Sequence, residues 1–395
     1  MPLGIYISVP FCRTKCSYCN FASNVFSKVL FDRYVDRVCI DIDNAAQIGA
    51  EMGGKTEHEV DSIYLGGGTP TVLDAAQLKR IFSAVRRQFN VVAGAEITVE
   101  CAPGTLDESM IEILVRSGAN RVSLGVQSFV DQEAAAVGRK HNHSMILQEI
   151  VRLRSAGISN INLDLIAGLP HQTAESWSFS LTETIAAAVP HVSVYMLEVD
   201  EDSRLGRELL AGGTRYHAHF VPDEDAAADF YLEACERLHC AGSLQYEISN
   251  FSRAGSESRH NLKYWTRRPY LGFGVEAHSM LLSASRDFDA VRFSSADSLE
   301  DYLGEKKVQR TVVSRHAALE ESFFLGLRLN RGVSLDELAA NFGDRAFEDA
   351  SVIISECVVD GLMERQESFV RLTPRGRLLS NEVFQRFIGT GEAVG

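Results

Sequence analysis

Residues Ile5–Asn20 read IYISVPFCRTKCSYCN. The run Ile5–Val9 is mostly β-branched and aromatic, and Pro10 ends it. Three cysteines follow at once, Cys12, Cys16 and Cys19, spaced C-x3-C-x2-C. A short apolar run bounded in this way predicts a buried strand. Reactive or metal-binding residues just past such a strand are what a parallel α/β fold presents at its ligand-binding end.

The same unit recurs along the chain. Ser62–Leu65, Glu96–Glu100, Arg121–Val126, Asn160–Ile166 and His191–Glu198 are further strand-like runs. Between them lie stretches such as Ala76–Phe89 and Ser109–Ser117, with apolar residues at helical spacing. Alternation of strand and helix predicts βαβ units and a parallel sheet. Six units without a clear seventh and eighth give either a partial (β/α)6 barrel or an open α/β sheet. Polar groups then collect at the strand ends. The cysteines follow the first strand and Gly66-Gly67-Gly68-Thr69-Pro70 the second. Glu100 ends the third, Gln127 follows the fourth, Asp164 lies late in the fifth and Glu198 ends the sixth.

The rhythm changes after about residue 215, which sets a first boundary at 1–215. Residues 216–305 read as a smaller α+β region. It holds a helix over Asp223–Ala241, an aromatic and glycine-rich stretch over Gln245–Leu282 and a hairpin through Arg286–Phe293. Residues 306–395 predict helices, including Ser334–Phe342 and Ala346–Asp360, then a β-ribbon near Leu362–Leu372, which resembles a winged helix. From residue 312 onward Lys and Arg number 9 against 13 Asp and Glu, which disfavours DNA binding.

Composition narrows the classes further. The 395 residues are 45% hydrophobic and 23% charged, enough for a large core and too apolar for disorder. The net charge of −14 does not favour nucleic-acid partners, which need cations to displace counterions. No apolar run approaches the roughly 20 residues that cross a bilayer. The opening MPLGIYISVPFC lacks a basic n-region, so the expectation is a cytoplasmic protein. Such a chain has no need of disulfides. Cys39, Cys101, Cys235, Cys240 and Cys357, scattered along it, read as buried hydrophobes or inert thiols.

Three thiolates on one short loop suit an iron–sulfur cubane, and three ligands leave its fourth iron open to a chelating amine and carboxylate. A zinc site is the competing reading, but zinc ligands usually come as paired C-x2-C units or with completing histidines, and no such pair is evident. With this loop the chain resembles the radical SAM family. Within it, the likeness is to the branch of oxygen-independent coproporphyrinogen III oxidase and the HemW heme chaperones. The similarity extends through YLGGGTPT, GVQSF, GRKHN, INLDLIAGLP, QYEISNFS and SRHNLKYW.

The resemblance implies a [4Fe–4S] cluster on Cys12, Cys16 and Cys19, with S-adenosylmethionine (SAM) on the open iron. It places Tyr6, the Tyr18 backbone, Gly67 and Glu100 around that SAM. Gly68, Thr69, Gln127, Arg139, Asp164 and Glu198 match residues contacting a second SAM in the oxidase, and His278 falls at a further SAM contact. Reduction of the cluster, electron transfer to the sulfonium and a 5′-deoxyadenosyl radical are the chemistry implied, with the barrel keeping water out.

Two departures separate the chain from the oxidase pattern. Phe21 stands where the oxidase has a further cysteine, and the first strand begins near residue 5 rather than after a long extension. Both match the HemW branch, as does His260-Asn261-Leu262-Lys263-Tyr264, the H-N-x-x-Y element associated there with heme binding. The resemblance therefore implies heme as cargo, with His260 as iron ligand and Asn261 and Tyr264 beside it. The rings of Tyr264 and Trp265 would cover the porphyrin, and Arg259, Lys263, Arg267 and Arg268 would meet its propionates. Heme-accepting proteins such as respiratory enzymes, an electron donor and peripheral membrane association through the acceptor complete the expectation. Porphyrinogen oxidation is the alternative, ahead of a heme-ring-opening methyltransferase or a DNA-binding regulator.

Overall fold

The computed structural model describes residues 1–285, 287–306, 309–343 and 348–389. The start of the expected hairpin at Arg286 and of the expected helix at Ala346 lies outside the described residues. Six strands, β1 (Leu3–Val9), β2 (Glu59–Gly67), β3 (Asn90–Cys101), β4 (Arg121–Gln127), β5 (Asn160–Ala167) and β6 (His191–Met196), lie side by side in chain order and in parallel. Helices α1 (Val29–Asp43), α2 (Ala75–Gln88), α3 (Glu108–Arg116), α4 (His143–Ser155) and α5 (Ala174–Ala186) return the chain between them.

Local chemistry starts most of these helices. Asp74 and Gln77 form a reciprocal capping box on α2, and Asp107, Asn142 and Thr173 each accept a first-turn amide on α3, α4 and α5. On α1 the buried residues Phe31, Tyr34, Val35, Val38 and Ile42 recur at helical spacing. They share one core with Ile5, Ile7, Val9, Ile63, Leu65, Val99 and Leu124 from the outer face of the sheet. Each such side chain, taken from water, contributes about 1.5–3 kcal/mol.

The inner face is polar. Register sets Tyr6 beside Tyr64, Glu100 beside Ser123, Ser123 beside Asn162, and Asn162 beside His191. The strands therefore alternate apolar outside and polar inside, as period-two geometry requires when the two faces meet different surroundings.

The sheet extends past these six strands at both edges. Beyond β6 come the antiparallel strands β7 (Leu244–Glu247) and β8 (Asn250–Ser252). Beside β1 lies β9 (Tyr270–Gly274), a seventh parallel strand. It is followed outward by antiparallel β10 (His278–Leu282), β11 (Ala290–Ser294) and β12 (Gln309–Val313). The sheet runs from β12 to β7 as an open, partial barrel.

Helices α6 (Arg204–Ala211), α7 (Glu224–Cys240) and α8 (Arg259–Trp265) also belong to this part of the chain. The C-terminal part places helices at Arg315–Gly326, Leu335–Phe342 and Glu348–Val359 ahead of a hairpin, Met363–Gln366 and Phe369–Leu372. Its own core gathers Phe323, Leu338, Ile354, Cys357, Val370 and Phe384, and Ile248 joins that core from the barrel side. Leu329 bridges to Glu247 at the end of β7, so this module sits against the β7–β8 edge.

Candidate functional site

The cysteine loop emerges from the C-terminal end of β1 and is held by backbone bonds. Cys12 N–H donates to Asn24 O at 3.0 Å, Ser17 N–H to Val137 O at 3.2 Å, and Leu205 N–H on α6 to Ser17 O at 2.8 Å. The loop after β2 lies directly against it, with Gly68 N–H donating to Val9 O at 2.7 Å and Thr69 N–H to Phe11 O at 2.8 Å. This closeness explains the glycine run. A Cβ on Gly68 would fall 2.6 Å from Phe11 O, 2.8 Å from Val9 O and 3.0 Å from Cys12 Sγ. Gly67 has φ +95°, a region that glycine enters without steric cost.

All three thiols are free, Cys16 buried and Cys12 and Cys19 half-buried. Thr69 Oγ1 lies 3.9 Å from Cys12 Sγ, and Ser23 Oγ the same distance from Cys19 Sγ. Burial pushes the Cys12 thiol up, against the Ser23 and Thr69 hydroxyls that pull it down. Among the described residues, no three His, Cys, Asp or Glu side chains converge as ligands of a single ion do.

Above this loop the polar face of the sheet opens. Tyr64 donates to Glu100 Oε1 at 2.8 Å, and a Cβ on Gly66 would meet the same carboxyl at 2.9 Å. Burial, with Asp164 adding to it, pushes Glu100 up to about 7 despite the Tyr64 and Gly67 hydrogen bonds. Asp164 accepts from Ser123 Oγ at 2.9 Å and Asn162 Nδ2 at 2.8 Å, and burial raises it as well. Arg139 donates to Tyr18 OH at 3.4 Å and leaves its Nε buried without a partner, as is Thr98 Oγ1. A buried polar atom left unpaired costs about 1–3 kcal/mol, so these positions suit a polar ligand. Gln127 is buried with φ +67°, a strained backbone at the strand's end.

Tyr6, Gly67, Gly68, Thr69, Glu100, Gln127, Arg139, Asp164 and Tyr18 thus gather around one mouth. Among the described residues Arg139 and Asp164 do not form an ion pair with each other: Arg139 donates to Tyr18, and Asp164 accepts from Ser123 and Asn162. His278 reaches the mouth by register: Tyr6 pairs with Gly272, and the β9–β10 pairing puts His278 across from Gly272. Strand β6 stops at Met196, so Glu198 lies beyond it and is exposed, not the strand's last residue. Tyr64, Ser123, Asn162 and Ser193 were absent from the sequence-based site. Their signal was the polar residue at every second position of otherwise β-branched strands.

The H-N-x-x-Y element is elsewhere and differently built. It forms α8 and closes the opposite end of the barrel, near the starts of β1 and β2. Glu96 accepts the backbone N–H groups of Arg259 and His260 at 3.1 and 3.0 Å, and Ser258 caps the helix through Asn261 N–H. His260 is 0% exposed. Its Nδ1 is 3.0 Å from Ser62 Oγ and its Nε2 2.8 Å from Tyr264 OH. Burial lowers it to about 3, so the ring is neutral. Both ring nitrogens of His260 are thus engaged within the core in this structure. Lys263 is buried and pairs with Asp61 at 2.6 Å, and Arg267 pairs with Asp289 and Glu321. Of the four cations expected to meet propionates, only Arg259 and Arg268 are exposed, and Arg259 binds Gly94 O.

The residues therefore fit a cluster on Cys12, Cys16 and Cys19 beside a polar cradle for SAM. Residues 6–180 match the Radical SAM superfamily, and residues 313–379 match the HemN C-terminal domain. The heme chaperone HemW of Bacillus subtilis is 34% identical over 97% of this chain and 98% of its own length. That of Lactococcus lactis is 32% identical over 98% and 97%. The solved structure of coproporphyrinogen III oxidase (HemN) from Escherichia coli superposes with a TM-score of 0.83 at 24% identity, covering 98% of this chain and 90% of that one. At that identity it speaks for the fold. Among the described residues, no helix is long and apolar enough to cross a membrane.

Proposed function

The chain belongs to the radical SAM superfamily, in the HemW branch, and on that footing we propose that it binds heme and delivers it to acceptor proteins. The observation that carries this reading is the full-length likeness to heme chaperones, joined to a three-cysteine loop held at the mouth of a polar-lined barrel.

Cys12, Cys16 and Cys19 would hold a [4Fe–4S] cluster, and Tyr6, Gly67, Glu100 and the Tyr18 backbone the SAM on its open iron. When bound, these groups supply one-electron chemistry. Gly68 gives the loop its close approach, while Glu100 offers a carboxylate to a cationic or hydroxyl group. Gly68, Thr69, Gln127, Arg139, Asp164, Glu198 and His278 form the set proposed for a second SAM. Ser123 and Asn162 hold Asp164 in place. An electron donor and heme acceptors such as respiratory enzymes are the partners this reading requires. The acceptor would supply any membrane contact, and the expected compartment is the cytoplasm.

The test is anaerobic reconstitution followed by heme titration and transfer to an apo-acceptor. About four irons per chain are expected, lost when Cys12, Cys16 and Cys19 are replaced by Ala together. A normal cluster in that variant would remove the cluster assignment. No saturable heme binding by the wild type would remove the chaperone reading.

A further inference from the structure

We propose that His191 is a positioning residue for the SAM cradle: from inside the barrel it fixes the side-chain amide of Asn162, and through it the carboxylate of Asp164. The proposal rests on the SAM reading above and adds a residue that acts on that site from behind it.

His191 opens β6 and is buried, as are Ser123, Asn162 and Ser193 around it, whereas Asp164 is half-buried at the mouth. Its Nδ1 lies 2.6 Å from Asn162 Oδ1 and its Nε2 2.9 Å from Tyr246 OH on β7. Burial, with Arg121 adding to it, holds His191 well below its ordinary value, so the ring is neutral. A neutral imidazole carries one N–H, and the neighbours decide which nitrogen bears it.

The order of donors follows from Asp164. As a carboxylate it only accepts, and it takes Ser123 Oγ–H at 2.9 Å and Asn162 Nδ2–H at 2.8 Å. Asn162 therefore turns its nitrogen to Asp164, Ser123 and Ser193, and its oxygen to His191. An amide oxygen only accepts, so the proton of His191 sits on Nδ1. Its Nε2 is then bare and accepts the hydrogen of Tyr246 OH, while that hydroxyl accepts Ser258 N–H at 3.2 Å. Every bond from Ser258 to Asp164 points toward the carboxylate.

That polarity serves an anion. Burial raises Asp164, and the bonds from Ser123, Ser193 and Asn162 pull it back down, toward the ionised form that a sulfonium or ammonium group would meet. Removing the Nδ1–H leaves Asn162 Oδ1 buried and unpaired, a costly state. Turning the amide to escape it sets an oxygen against the Asp164 carboxylate and takes a donor from the anion at the mouth.

The test measures SAM affinity by anaerobic isothermal titration of the reconstituted full-length protein and its variants, with iron content and circular dichroism confirming each fold. His191→Phe keeps a ring and loses both nitrogens, and it should bind SAM about tenfold more weakly. Tyr246→Phe removes only the hydroxyl on Nε2. It should weaken binding in the same direction but less, and it decides the matter where His191→Phe does not fold. His191→Asn, whose amide places a donor near the Nδ1 position, should recover most of the affinity. In an Asp164→Asn background His191→Phe should have little further effect, because its action runs through that carboxylate. Full affinity in every folded His191→Phe or Tyr246→Phe variant would overturn the positioning role. So would an equal loss with and without the Asp164 carboxylate. Absence of SAM binding by the wild type would instead overturn the SAM reading beneath it.

Discussion

Tyr64 donates its phenolic hydrogen to Oε1 of Glu100 across 2.8 Å, while its ring lies 5.4 Å from that of His260. The carboxylate proposed to meet SAM is thus tied, through a single tyrosine, to the helix that plugs the other end of the barrel. Because burial holds Glu100 near 7, its charge is marginal at neutral pH. If the carboxylate form binds the cationic ligand, SAM affinity of the reconstituted protein should fall as pH drops from 8 to 6. Isothermal titration across that range checks it, and a flat profile would remove Glu100 from the contact.

The same shift has a stability consequence of opposite sign. Glu100 is raised in the folded state above its ordinary 4.5, so keeping it ionised opposes folding at pH 8, and this cost disappears below that ordinary value. Glu100→Gln should therefore raise the melting temperature of the cluster-free protein at pH 8 by roughly a few degrees while weakening SAM binding. Equal melting of the two proteins at pH 8 would show that Glu100 carries no such penalty.

Gly68→Ala should cost the cluster rather than the fold. The added carbon meets the backbone oxygens of Val9, at the end of β1, and of Phe11, in the cysteine loop, and it meets the Cys12 sulfur. The loop must move, and with it one of the three thiolates. Iron per chain after reconstitution should drop well below that of the wild type, with far-ultraviolet circular dichroism retained. Full iron loading in the variant would mean the loop relaxes freely.

The six parallel strands were legible because each is an apolar run whose outer face must be buried, and the cysteine and glycine loops were legible because they follow such runs. Strand ends were less so. Strand β3 starts at Asn90, six residues before the expected Glu96, since pairing with β2 extends a ladder that propensity alone would stop. Strand β9 was hidden for a stronger reason: Tyr270–Gly274 becomes the seventh parallel strand only by pairing with β1, far away in sequence. The burial of His260 was equally non-local, being set by Ser62 and Glu96 on two distant strands.

That burial makes His260 a structural residue in its own right. Replacing it by Ala leaves Ser62 and Tyr264 without their partner and opens a void, and should cost about 1–3 kcal/mol in chemical denaturation. Its value near 3 lies below the ordinary 6.5, so its contribution is intact above that ordinary value. As pH falls from there toward 3, the unfolded chain takes the proton first and stability is lost. Wild type should therefore lose stability more steeply over that interval than His260→Asn. Parallel curves would show that the ring titrates freely.

The last expectation concerns the alternative activity. The oxidase pattern carries a further cysteine at the position of Phe21, and here that side chain is 60% exposed beside the cluster loop and bears no ionisable or ligating group. A thiol at that place can ligate, transfer a hydrogen or be oxidised, and a phenyl ring can do none of these. The fold itself does not decide the matter, because the oxidase shares it across nearly the whole chain. The test turns on the thiol that Phe21 replaces. Incubated anaerobically with SAM, reductant and coproporphyrinogen III, the reconstituted protein should form no protoporphyrinogen IX above that of the cluster-free triple cysteine variant. Reproducible turnover dependent on the cluster would restore the oxidase reading and require that Phe21 replace a residue the reaction does not need.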